Sequence, residues 1–215
     1  MRPLSECRLY TFLDSGYIAP GDFVKTAHAL CQGGSDLIQL RLKGFPLSEA
    51  RRVANEIAPI LRDYGTGLVI NDHLELAQEM DADFVHLGQE DFFDAGFQSV
   101  SELRGAGKLK AGLSTHAASQ ADRAVKAGAD YVAIGPIYST PTKPTAAAVT
   151  LQYVRWAAQN ISIPWFAIGG IQLQNLDEVL ASGARRICVV SAILKAPDIA
   201  DACHEFKKRI ISAEH

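Results

Sequence analysis

The strongest constraint on the fold of this chain is a repeated grammar. Gly34-Ser35-Asp36-Leu37-Ile38, Asp81-Ala82-Asp83-Phe84-Val85, Gly128-Ala129-Asp130-Tyr131-Val132 and Gly183-Ala184-Arg185-Arg186-Ile187 all read alike. In each, a helix-like segment closes on a small or turn-forming residue, a polar residue follows, and an apolar run begins. Positions 36, 83 and 130 lie 47 apart, and 185 follows 55 later. A period of that length holds two βα units.

The apolar runs read as strands are Arg8–Leu13, Leu37–Leu40, Gly67–Asn71, Phe84–Leu87, Lys110–Ser114, Tyr131–Gly135, Pro164–Ile168 and Ile187–Ser191. Several are apolar on both sides of the alternation, as in a parallel sheet buried on both faces. Between them, Leu47–Tyr64 carries Ala50, Val53, Ala54, Ile57 and Leu61 on one helical stripe, entered at Pro46. Ala117–Ala127, Leu173–Ala181 and Asp198–Ile211 read as further helices. Eight such units in 215 residues predict an α/β fold, a single (β/α)8 TIM barrel spanning 1–215. A doubly wound open sheet fits less well, because no Gly-x-Gly-x-x-Gly follows the first strand.

Composition narrows the function classes. At 48% apolar and 21% charged residues, the chain has ample material for a core. A net charge of −3 offers no basic surplus for nucleic acid, so an anionic ligand must be held by a few placed cations. No apolar run has the length of a membrane span, and the N-terminal stretch, with Arg2, Glu6 and Arg8, does not read as a signal peptide. Cys7, Cys31, Cys188 and Cys203 form no C-x-x-C pair. A reduced, cytoplasmic setting is therefore expected. Val154, Trp156 and Ala157 form an apolar helix face that serves either core packing or a homo-oligomer.

A barrel gathers its active site at the carboxyl ends of its strands. After the second strand, alternation points Gln39, Arg41 and Lys43 the same way, offering an amide and two cations to one anion. After the third and fourth strands stand Asn71-Asp72-His73 and His86-Leu87-Gly88-Gln89-Glu90-Asp91. Singly, Asp72 and Asp91 read as caps; together at adjacent strand ends they read better as Mg²⁺ ligands. His86, within an apolar strand, reads as a hydrogen-bonded core histidine. After the fifth strand, Thr115 reads as a helix cap and His116 is placed for proton transfer. The long segment Gly135–Pro144 combines hydroxyls, prolines and Lys143. Gly169-Gly170 and Val190-Ser191, after the last two strands, match a barrel phosphate site built from backbone N–H groups. A monophosphate beside a metal-bound diphosphate is the simplest ligand pair for this layout.

At this point the chain resembles the thiamine phosphate synthase family. The matching segments are Gln39–Lys43, Ile70–Asp72, Val85–Asp91, Gly112–His116, Gly135–Lys143, Ala167–Ile171 and Val189–Ile193, in order across residues 9 to 194. The resemblance implies coupling of 4-amino-2-methyl-5-hydroxymethylpyrimidine diphosphate to a thiazole phosphate, in plain or carboxylated form, by a dissociative, Mg²⁺-assisted reaction that releases diphosphate. It implies Mg²⁺ on Asp72 and Asp91, and diphosphate on Arg41, Lys43, Asn71 and Lys143. Gln39 and Ser114 would lie near the pyrimidine or diphosphate. Thr140 and Thr142 would contact the thiazole phosphate, cradled by the backbones of Gly170, Val190 and Ser191. Partners would be small phosphorylated molecules, with neither nucleic acid nor membrane, alongside the homo-oligomer that the apolar helix face allows. The sister family of thiazole tautomerases would instead use His116, and a non-catalytic phosphate-binding barrel is a third reading. The sequence departs from the pattern in three places. Leu42 occupies a position often acidic, Ala146–Thr150 lacks the glycine expected before the sixth helix, and the segment between Asp91 and Ser114 is longer than usual.

Overall fold

A computed structural model describes residues 1–104, 107–139 and 148–213. The chain alternates β1 (Leu9–Asp14), α1 (Phe23–Gln32), β2 (Leu37–Arg41), α2 (Leu47–Tyr64), β3 (Gly67–Asn71), α3 (Leu74–Glu79), β4 (Phe84–Gly88) and α4 (Gln89–Asp94). It continues with β5 (Lys110–Thr115), α5 (Ala118–Lys126), β6 (Tyr131–Ile134), α6 (Thr150–Asn160), β7 (Trp165–Ile168), α7 (Leu176–Ala181), β8 (Ile187–Cys188), α8 (Ser191–Leu194) and α9 (Ile199–Ser212). Every strand pairs in parallel with its sequence neighbours. The barrel closes through Leu9 opposite Ile187 and Tyr10 opposite Cys188.

The repeated aspartates have a structural job. The carboxylate of Asp36, at the entry to β2, accepts the backbone N–H of Leu9 at 3.0 Å in β1. Asp83 before β4 accepts Leu68 N–H of β3 at 2.9 Å, and Asp130 before β6 accepts Ala111 N–H of β5 at 2.9 Å. Each therefore satisfies a backbone donor at the bottom of the preceding strand, and this requirement recurs every second unit. The fourth copy breaks the rule: Arg185 donates instead to the carbonyls of Leu180 and Ala184.

Two apolar layers follow from strand alternation. Tyr10, Phe12, Leu37, Val69, Phe84, Tyr131, Phe166 and Cys188 fill the barrel interior. Leu9, Leu13, Ile38 and Leu40 face the helices. The stripe expected on α2 is the one it buries, Ala50 through Leu61. Burial of Val53, Ile57 and Leu61 contributes roughly 1.5–3 kcal/mol each. On α6, Val154 and Ala157 are fully buried, so core packing accounts for them, and half-buried Trp156 stacks on Tyr153 with ring centres 5.7 Å apart.

Strand limits differ from the sequence reading mostly by one residue. The exception is the last strand, which stops at Cys188; Ser191 already opens α8. Apolar residues continue to Val190, but Val189 N–H on Tyr10 carbonyl is the last rung toward β1, after which the chain turns. Among the described residues no helix is long and apolar enough to cross a membrane.

Candidate active site

The carboxyl ends of all eight strands surround a cavity of about 150 Å³ that opens to solvent. The register explains who lines it. Phe12 pairs with Gln39 and Asp14 with Arg41, so the inward positions of β1 and β2 rise together from the aromatic floor to the mouth.

Gln39, Arg41, Lys43, Asn71, Asp72, Asp91, Ser114, Gly170, Val190 and Ser191 all line this one cavity. Thr140, Thr142 and Lys143 lie outside the described residues. Gln39 and Arg41, within β2, and Lys43 beyond it have different partners and stand at different heights in this cavity. Gln39 lies in the floor, its Nε2 donating to the Tyr10 hydroxyl at 2.6 Å. Arg41 is ion-paired through Nη1 to Asp14 at 2.7 Å. Lys43 reaches from the mouth, its Nζ 3.6 Å from Asp72. Asp14 is a cavity residue that no local motif marks. Its signal was positional: it ends β1 on the inward alternation of Tyr10 and Phe12, and its Oδ1 accepts Gly16 N–H at 2.8 Å.

The acidic wall is built by two different turns. Asp72 takes a left-handed backbone with φ 62°, uncommon for any residue bearing a Cβ. Its N–H spans to the His86 carbonyl at 3.0 Å, and Asn71 Nδ2 donates to its carboxylate at 2.6 Å. Asp72 does not cap α3, whose cap position is His73 and lacks a side-chain cap bond. Strain of this kind is a recurring mark of functional positions. Asp91 sits in the first turn of α4 and folds back over Gly88, where a Cβ would come within 2.5 Å of its Oδ2.

This donor set fits a hard divalent cation. Mg²⁺ takes one or two carboxylates and completes its octahedron with water and substrate phosphate oxygens. Among the described residues no three His, Cys, Asp or Glu side chains form a self-sufficient metal cage, so phosphate oxygens would have to complete the shell.

The far wall is backbone. Gly169 and Gly170 have φ of 106° and 65°, and a Cβ on Gly170 would meet that of Tyr138 at 2.7 Å. Asn175 Nδ2 holds the Gly170 carbonyl at 3.0 Å. Among the described residues, no carbonyl takes the N–H groups of Gly170 or Ser191, and both residues line the cavity.

Three hydroxyl and imidazole groups complete the picture. Thr115 is not a helix cap: its Oγ1 donates to Ala133 carbonyl at 3.0 Å and lies 2.8 Å from the Tyr153 hydroxyl, pinning β5 to β6 and α6. His86 is hydrogen-bonded, Nδ1 lying 3.0 Å from the Tyr131 hydroxyl with the rings stacked. His116 donates from Nδ1 to the Gly135 carbonyl, which can only accept. Thr150, the last residue of the stretch that lacks the expected glycine, holds a left-handed φ of 64°.

Comparison with known proteins places this geometry in context. A family model described as thiamine monophosphate synthase matches residues 9–193. A thiamine-phosphate synthase of Thermus thermophilus is 44% identical over 187 residues, 86% of this chain and 87% of the relative. That of Acidothermus cellulolyticus is 42% identical over 212 residues, covering 98% of both. The solved thiamine phosphate pyrophosphorylase from Pyrococcus furiosus superposes with a TM-score of 0.87 at 29% identity, covering 99% of each chain.

Proposed function

The chain belongs to the thiamine monophosphate synthase family, and from that premise we propose that it joins 4-amino-2-methyl-5-hydroxymethylpyrimidine diphosphate to 4-methyl-5-(2-phosphoethyl)thiazole, or its carboxylated form. Membership makes it a transferase of thiamine biosynthesis. The observation that carries the finer reading is one cavity with two unlike walls: Lys43, Asn71, Asp72 and Asp91 on one side, backbone donors at Gly170 and Ser191 on the other. That asymmetry suits a departing diphosphate facing a monophosphate acceptor.

In this reading the bond between the pyrimidine methylene carbon and the diphosphate oxygen breaks first. Its electron pair leaves with diphosphate, and the thiazole nitrogen then donates its lone pair to the methylene cation. The leaving charge is met by Lys43, by the remaining donors of Arg41 and by Lys143, while Asn71 orients Asp72. Mg²⁺ held by Asp72 and Asp91 would supply further neutralisation of the diphosphate. Gly170 and Ser191 N–H groups hold the thiazole phosphate, and Ser114 lies beside the reacting pair. Catalysis is then positioning plus electrostatic stabilisation of developing charge. His116, with Nδ1 as donor, leaves Nε2 as a base in its neutral form. That is the arrangement the tautomerase reading needs, but the named relatives are synthases.

The test is a coupling assay with both substrates, with and without Mg²⁺. Thiamine phosphate should form only with Mg²⁺, and Asp91→Ala should lower kcat/KM by about a hundredfold or more. Full turnover in excess chelator, or tautomerisation lost in His116→Ala without any coupling, would overturn the reading.

A further inference from the structure

Below the cavity floor a chain of hydrogen bonds crosses the barrel. Gln39 Nε2 lies 2.6 Å from the Tyr10 hydroxyl, the Tyr10 and Tyr131 hydroxyls are 3.0 Å apart, and Tyr131 lies 3.0 Å from His86 Nδ1. The four residues come from β2, β1, β6 and β4, and both ends of the chain line the cavity. Both tyrosines are fully buried, with Phe84 and Phe166 packed edge-on against the Tyr131 ring. The Tyr131 ring also fills the space a Cβ on Gly112 would need, at 2.0 Å, so it has nowhere to turn.

Each tyrosine hydroxyl has a single hydrogen. A hydroxyl can also accept twice, but one tyrosine would then point its hydrogen at no acceptor. Among the described residues neither hydroxyl has a further hydrogen-bond partner, so the buried chain is fully satisfied only when all three bonds run in one direction. With the Gln39 amide N–H donating to Tyr10, Tyr10 donates to Tyr131, and Tyr131 donates to His86 Nδ1. His86 in its neutral form then carries its proton on Nε2. Gln39, 2% exposed, keeps its carbonyl Oε1 for the cavity, and among the described residues nothing donates to that atom. The opposite direction would require the amide turned over, with NH₂ facing the cavity.

We propose that Tyr10 and Tyr131 are positioning residues that lock the Gln39 amide with its carbonyl toward the ligand, and so set the preference for an amino-bearing over an oxo-bearing heterocycle. This rests on the pyrimidine reading above. A carbonyl acceptor complements an exocyclic amine and repels a ring carbonyl. A buried site built for one hydrogen-bond pattern rejects its opposite strongly, because the mismatched groups have no water to turn to. In Tyr131→Phe, the Tyr10 hydroxyl loses its acceptor. The remaining acceptor within reach is the Gln39 carbonyl, so the amide turns over and the preference weakens.

The experiment compares kcat/KM for the 4-amino pyrimidine diphosphate and its 4-oxo analogue in the wild type, Tyr131→Phe and Tyr10→Phe. Melting temperature is followed alongside, and ¹⁵N NMR reports the His86 tautomer. The amino-to-oxo ratio should fall about tenfold or more in Tyr131→Phe. The Nδ1 of His86 should be the bare nitrogen in the wild type and should lose its hydrogen-bond shift in that variant. An unchanged ratio in both variants, or a wild-type His86 protonated at Nδ1, would overturn the proposal. A wild type that couples neither pyrimidine would refute the synthase reading instead, and the NMR result would still decide the direction of the chain.

Discussion

The Asp14–Arg41 pair gives the sharpest test of how the mouth of the barrel is held. The two partners differ in access to water: the Asp14 side chain is 1% exposed and that of Arg41 15%. Arg41→Met leaves the buried carboxylate with only the Gly16 N–H among the described residues. Stripping one partner from a buried pair costs about 3–5 kcal/mol. Asp14→Asn leaves the partly hydrated guanidinium instead and removes one charge-assisted hydrogen bond, about 1.5–3 kcal/mol. The double variant removes both charges and should be no less stable than Arg41→Met alone, giving a coupling of about 2 kcal/mol in a double-mutant cycle. Urea denaturation of the four proteins at pH 7 supplies the numbers. The reasoning fails if Asp14→Asn is the costlier single change, or if the two effects simply add.

Two further predictions address the scaffold. Asp83→Ala removes the acceptor for Leu68 N–H, so it should cost about 1–3 kcal/mol and speed hydrogen exchange most at that amide; unchanged protection there would count against the aspartate repeat. Burial pushes the Cys7 and Cys203 thiols up to about 12 from an ordinary 9.0, and the Tyr153 hydroxyl to about 12 from 10.0. The unfolded chain therefore loses these protons first, binding fewer of them than the native state. Stability should be level below about pH 9 and decline as pH rises toward 12, which denaturation midpoints at pH 7.5 and 10.5 would register.

Much of the site was already legible along the chain. Strand ends can be located from apolar runs, and a barrel turns strand ends into one mouth. Gln39, Arg41, Asp72, Asp91 and Gly170 could therefore be assigned to a common cavity before any fold was seen. What could not be read was who partners whom. Thr115 looked like a cap because capping is a local rule, whereas its real neighbour, Tyr153, is 38 residues away. Arg41 looked like a free cation because Asp14 lies 27 residues earlier and meets it only when β1 and β2 are in register.

The residue pattern alone determined eight βα units, their order and the end of the barrel that carries chemistry, because period and turn chemistry are properties of neighbouring residues. Only the closed barrel decided which residues the floor's hydrogen bonds connect, since they join Tyr10 to Tyr131 across 121 positions. It also decided that Asp14 pairs with Arg41, whereas Asp72 and Asp91 line the cavity from β3 and β4. Those outcomes depend on distances set by closure, and no local stretch of sequence encodes them.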